Sequence, residues 1–240
     1  MRISRTPVVR LALAAGAMTV TSLASVAWAV QDAPSTIGEL LTNGAVKVES
    51  RGASLNIEDS TWAYLSGDRV YTGEDSTAAL RLEGDGGVYM APGSAMAVRG
   101  GSGSYTVSLE SGGVRFSFRE GVDFRVDAAG AVVRPGTYRA VADDGVRRVG
   151  GIVVLDNGKP MVTVTEGSLL VRGQGGAGFQ TVQSGETYGD QGDGEFVKVQ
   201  LPQDGGGMSL LVKLLLGAAI GWGIYEIVDD DDDDVASPAG

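Results

Sequence analysis

The 240-residue chain contains no cysteine and no histidine. Without cysteine there can be no disulfide, no thiol nucleophile and no thiolate metal site. Without histidine the commonest general base and the usual zinc or copper ligand are missing. Lysine is scarce as well, at Lys47, Lys159, Lys198 and Lys213, and none of these sits in a Ser-x-x-Lys spacing. What remains for catalysis is carboxylates. Glu166, Glu186, Asp190, Asp193 and Glu195 lie close in sequence, but a glycosidase needs two carboxyls facing each other across a cleft, which spacing alone does not supply. The stretch "YGDQGDGEF" reads as a Gly-rich loop and does not match the D-x-D-x-D-G spacing of a calcium loop. With no nucleophile–base pair legible, the chain is expected to be no enzyme and to hold no cofactor and no metal.

The first 29 residues read as an export signal. Arg2, Arg5 and Arg10 make a positive start, Leu11 to Val26 is small and apolar, and Ala27-Trp28-Ala29 offers an A-x-A cleavage site. An uncleaved membrane anchor is the alternative. Cleavage would remove three arginines and take the net charge from −11 to −14. So acidic a surface repels phosphate backbones, which argues against nucleic-acid partners.

Residues 44–200 alternate apolar and polar positions, broken by turn residues every eight to twelve places. Leu80 and Leu82 flank Arg81; Tyr105, Val107 and Leu109 follow, then Val114, Phe116 and Phe118, then Phe124 and Val126. In each run alternate side chains share one face, which can be buried while the other meets water. The 38 glycines suit tight turns between such strands. This predicts an all-β domain, a sandwich or β-roll of many short strands. Ser35 to Leu41 reads as a one-turn helix or a lead-in, within a lead-in segment at 30–43. Arg139 to Val149, with Asp143-Asp144-Gly145, reads as an exposed turn or insertion.

The stretch "LSGDRVYTGEDSTAALRLEGDGGVYMAPGSAMAV" from Leu65 to Val98 resembles the core of the FecR domain family. The pattern is Gly67-Asp68, Thr72-Gly73, an alternating strand at Ala78 to Leu82, and Pro92-Gly93-Ser94. Gly113-Val114-Arg115-Phe116, Pro135-Gly136-Thr137-Tyr138, "VTVTEGSLLV" and Ser184-Gly185-Glu186 resemble its later strands, so the likeness spans roughly 44–190. Gly67, Gly73 and Gly93 suit turns of positive φ, and Asp68 and Thr72 can hydrogen-bond turn backbone. These five residues are therefore expected to be structural. The best-known FecR proteins are membrane regulators that carry a cytoplasmic anti-sigma segment and one transmembrane helix ahead of the domain. Here the preceding residues read as a signal peptide, so the resemblance is to stand-alone exported FecR-domain proteins. A cupin half would also fit "VTEGSLLVRG" and "QSGETY", but its metal chemistry needs histidines that are absent.

A Gly-rich linker at 201–209 leads to an apolar stretch, Leu210 to Val228, interrupted by Lys213 and Glu226. As a helix it would be about 28 Å long, close to the hydrocarbon thickness of a bilayer. Lys213 could snorkel to one interface, with Trp222 and Tyr225 near the other. Gly217 and Gly221, four apart, suit close helix packing and self-association in lipid. A helix lying on the β domain and a disordered apolar tail are the alternatives. Asp229 to Asp234 open an acidic tail, 229–240, expected to be solvated.

Together these features predict an exported, non-catalytic module of the bacterial cell envelope. It would sit on the periplasmic side of the cytoplasmic membrane, tethered by its C-terminal helix, and bind a protein partner or, as a lesser alternative, a polysaccharide. Trp62 and Tyr64 are the candidate partner contacts, burial in the core being the competing reading for Trp62. A sensor passing receptor occupancy across the membrane and a carboxylate-dependent glycan hydrolase are the alternative functions.

Overall fold

The computed structural model describes residues 35–82, 86–140, 145–190 and 195–199. The expected signal peptide, linker, apolar helix and acidic tail lie outside them, as do Gly217 and Gly221. All the regular structure among the described residues is β. The strands are β1 (Thr36–Asn43), β2 (Ala45–Ser50), β3 (Ala53–Glu58), β4 (Thr61–Leu65), β5 (Arg69–Thr72), β6 (Thr77–Leu82), β7 (Gly86–Met90), β8 (Ala95–Gly101) and β9 (Ser104–Arg119). They continue as β10 (Asp123–Ala128), β11 (Ala131–Pro135), β12 (Arg139–Ala140), β13 (Arg147–Asp156), β14 (Lys159–Glu166), β15 (Ser168–Arg172), β16 (Gln180–Gln183), β17 (Thr187–Asp190) and β18 (Phe196–Lys198).

The strands form two sheets that share β9. The first runs β4-β1-β6-β7-β9-β13-β14-β17-β18, with β12 on the end of β13. The second runs β3-β2-β5-β8-β9-β10-β11-β15-β16. Every pairing is antiparallel except β9 with β10. The division of β9 is clean. Ser104 to Ser111 pair with β8 in the second sheet, and Gly112 to Arg119 pair with β13 in the first.

A strand can switch sheets only where the backbone bends sharply. The bend falls at Gly112, where φ is +75° and an added Cβ would lie 2.3 Å from Ser94 Oγ and 2.6 Å from its Cα. Only glycine fits there.

The inner faces meet in one apolar core. Phe116 and Phe118, from the first-sheet half of β9, meet Phe124 of β10 in the second sheet. The Phe118 and Phe124 rings stack at 4.4 Å, and Phe116 tilts onto Phe124 at 5.2 Å. All three are fully buried. Burying each ring contributes about 1.5–3 kcal/mol, and each ring pair a further ~0.5–1.5 kcal/mol. The sandwich is thus pinned where its sheets share a strand.

Two boundaries differ from expectation. The lead-in at 30–43 is in fact a sheet strand from Thr36, paired on both sides by β4 and β6. Its period is hidden by a bulge between Thr36 and Gly38, which leaves Ile37 and Leu40 buried at odd spacing. Gly38 is there for close approach, since a Cβ would lie 2.0 Å from the Arg81 carbonyl oxygen. The region 139–149 is not all exposed turn: β12 pairs with the start of β13, and Val149 is fully buried. Asp143 and Asp144 lie outside the described residues.

Candidate functional site

Of the five motif residues, Thr72, Gly73 and Gly93 gather near the bend of β9, whereas Gly67 and Asp68 sit in the β4–β5 turn, where Gly67 N–H donates to the Val98 carbonyl at 2.8 Å. Gly67 and Gly93 have φ of +91° and +65°, but Gly73 does not have positive φ. Gly73 is instead a hydrogen-bonding hub: its N–H donates to Ser76 Oγ at 2.6 Å, and its carbonyl accepts from Gly93 N–H at 2.9 Å. Ser76 Oγ in turn donates to the Ala45 carbonyl at 2.7 Å. Thr72 Oγ1 donates to the Ala91 carbonyl at 2.7 Å and accepts from Ser94 N–H at 2.9 Å. Ser94 Oγ accepts from Gly113 N–H at 2.9 Å and donates to the Gly113 carbonyl at 3.1 Å. A chain of hydroxyls thereby ties the β5–β6 and β7–β8 turns to the point where β9 changes sheet. These polar groups are buried but paired, as buried polar groups must be.

Asp68 is also buried, and its Oδ2 accepts from Leu65 N–H at 3.3 Å. Above it lies Tyr64. The Tyr64 hydroxyl donates to the Asp68 carbonyl at 2.5 Å and accepts from Val98 N–H at 2.7 Å. Burial pushes the pKa of this phenol well above the usual tyrosine range. Tyr64 is fully buried, so it cannot be a partner contact, and that expectation is corrected. Its hydroxyl is used up inside the fold.

Trp62 is different. It is 42 % exposed, although it lies on the same inward face of β4 as Tyr64. Trp62 stands opposite Leu40 of β1, a fully buried residue. The inward face simply runs out past the rim of the sandwich at this edge. β4 pairs only with β1, and β3 only with β2, among the described residues. The chain passes from one free edge to the other through Asp59-Ser60. Leu55 of β3 repeats the pattern on the second sheet, 38 % exposed opposite the buried Val48. One flank of the sandwich therefore shows inward-facing apolar side chains from both sheets to solvent. β4 itself carries no charge and no proline, the devices that usually protect an edge. β3 and β18 carry Glu58 and Lys198.

Two of the clustered acidic residues have defined partners. Glu166 Oε2 accepts from Ser117 Oγ at 3.3 Å. Glu186 pairs with Lys198 at 2.7 Å and accepts from Gln183 N–H at 2.9 Å. The hydrogen bond from Lys198 lowers the Glu186 pKa, the opposite of what a general acid needs. Asp193 lies outside the described residues. No group of three or more acidic residues suited to a metal ion occurs among the described residues. No helix long and apolar enough to cross a membrane occurs among the described residues.

One cluster gave no sequence signal. Arg134 of β11, Arg172 of β15 and Phe179 converge on the outer face of the second sheet, with the guanidiniums 5.6 and 4.7 Å from the ring centroid. They lie far apart in sequence, and only the β11–β15 register brings them together.

No family model matches the chain, and no curated protein matches it. Among solved structures it is similar to two determinations, at 1.65 and 2.50 Å resolution, of a "putative anti-sigma factor" from Parabacteroides distasonis. Each is 18% identical, with a TM-score of 0.42, over 55% of this chain and 59% of that one. The chain thus spans about three-fifths of the length of the solved chains it matches.

Proposed function

We propose that this is an exported, non-catalytic FecR-like binding module of the cell envelope, which takes up an extended segment of a protein partner along β4. The observation that carries this reading is the exposed Trp62 on an uncharged free edge strand. An edge offers a row of backbone donors and acceptors to an incoming strand, and alternate side chains supply specificity. Trp62 would cover the apolar face of that strand, as aromatic anchors commonly do. Export and tethering to the periplasmic side of the cytoplasmic membrane are supported by the residue patterns of 1–29 and Leu210 to Val228.

The test is crosslinking in intact envelopes followed by capture of the full-length protein, with Trp62→Thr and Ala63→Lys beside it. Thr keeps β-propensity while removing the anchor, and Lys places a charge on the edge. A partner recovered with the wild type and reduced at least tenfold with both variants is the expected result. Recovery of no partner, or equal recovery with all three, would sink the proposal.

A further inference from the structure

The chain carries 30 acidic residues against 19 basic ones, and several of its surface cations are neutralised by a neighbouring carboxylate. Lys47, Arg69, Arg125, Arg147 and Lys198 all pair with one. Arg134 and Arg172 do not: among the described residues no carboxylate lies within ion-pair distance of either. Both instead face the ring of Phe179, at 5.6 and 4.7 Å, so the two guanidiniums lie within about 10 Å of each other, a separation at which like charges still repel. The nearest carboxylate along the sheet register is Asp127, which stands opposite Val132, itself opposite Arg172. Asp127 is already held by Arg125 at 2.6 Å.

The ring is presented rather than buried. Phe179 is 38 % exposed and ends the Gly-rich loop Gly173-Gln174-Gly175-Gly176-Ala177-Gly178. That loop is seated on the β10–β11 turn, where Gln174 fills the space beside Gly130: an added Cβ there would lie 2.9 Å from it. Arg134 and Arg172 stand on neighbouring antiparallel strands, opposite Leu170 and Val132, so the strand register fixes both stems.

From this we infer that Arg134, Phe179 and Arg172 form a binding site for a carboxylated sugar ring, such as a uronate residue. Planar guanidinium forks match a carboxylate with two parallel hydrogen bonds, and the exposed part of the ring offers apolar contact to the C–H groups of a pyranose. A bare phosphate would leave the ring unused. A nucleic acid, dense in charge, is opposed by the net charge of −11. The site is independent of the β4 edge and stands or falls separately.

Calorimetric titration of the full-length protein with trigalacturonate, free galacturonate and neutral galactotriose tests this. Expected is saturable binding of trigalacturonate with a Kd of about 1 mM or tighter, and at least tenfold weaker binding of galactotriose. Arg172→Gln, Arg134→Gln and Phe179→Ala should each weaken trigalacturonate binding at least tenfold. Arg172→Lys, which keeps the charge but loses the fork, should fall between. Equal affinity for trigalacturonate and free galacturonate would identify a single free sugar acid as the ligand, and tighter binding of the trimer a glycan chain; either supports the site. Phe179→Leu, which keeps apolar cover on the sheet, serves if Phe179→Ala unfolds. No binding of either acid by the wild type, acid and neutral sugars binding alike, or folded variants binding as the wild type does would each overturn the inference.

Discussion

Replacing Tyr64 by Phe removes one oxygen atom and breaks two buried hydrogen bonds, from the phenol to the Asp68 carbonyl and from Val98 N–H to the phenol. Phe fills the same ring volume, so the packing term is small and the polar term dominates. Each orphaned backbone group costs about 1–3 kcal/mol when water cannot reach it. Some relaxation is expected, which makes about 3 kcal/mol a reasonable total, or roughly 6–12 °C in Tm for a domain of this size. The pH dependence sharpens the test. Burial holds the Tyr64 pKa in the fold above its unfolded value of about 10. The fold accepts the protonated phenol, so the contribution is complete below pH 10 and is lost as pH rises beyond it. By pH 11 the wild type loses about 1.4 kcal/mol through this group, and Tyr64→Phe loses none. The gap between the two proteins should therefore shrink to roughly half its neutral-pH size. Tyr71 and Tyr138, whose pKa values are also raised, are present in both proteins and cancel. Urea unfolding followed by far-UV circular dichroism at pH 8 and pH 11 measures both quantities. A gap below about 0.5 kcal/mol at pH 8, or one unchanged at pH 11, would refute the reasoning.

Three further outcomes follow from the core and the bend of β9. Ser94→Ala and Thr72→Val should each cost about 1–3 kcal/mol in urea unfolding; the double variant should cost less than their sum, because the two side chains share one hydrogen-bond chain. Gly112→Ala should yield no soluble folded protein, since it demands both positive φ and the space Ser94 occupies; a normal melting curve would show that β9 does not bend as described. Phe124→Ala should cost about 3–5 kcal/mol by the same assay, the range for emptying a well-packed aromatic site.

The all-β class was legible because alternation over runs such as Tyr105–Leu109 and Val114–Phe118 is a local signal. What alternation cannot say is which sheet a run joins. Leu109 and Val114 belong to one strand but to two sheets, and the only local mark of the switch is Ser111-Gly112-Gly113, which reads like any other Gly turn. β1 was hidden for a similar reason: a bulge breaks its period, and Gly38 looks like a strand breaker until its closeness to Arg81 is seen. Trp62 and Tyr64 are two residues apart on the same face, so periodicity treats them alike. Their fates differ because Tyr64 is covered and bonded by Asp68 and Val98 while Trp62 is left 42 % exposed, which only tertiary packing determines. Arg134, Arg172 and Phe179 were beyond reach for want of any spacing rule linking β11 to β15.

A strand shared between two sheets has a kinetic consequence. β9 bonds with β8 and β10 in one layer and with β7 and β13 in the other. Neither layer can be completed before β9 is placed, and two of its four partners, β7 and β13, are not its neighbours in sequence, so folding should be slow for the domain's size. Once formed, neither layer can open without breaking the other's central ladder. Amide protons in the middle of both sheets should then exchange with solvent as one unit, at the free energy of global unfolding, while β3, β4 and β16 exchange earlier from the free edges.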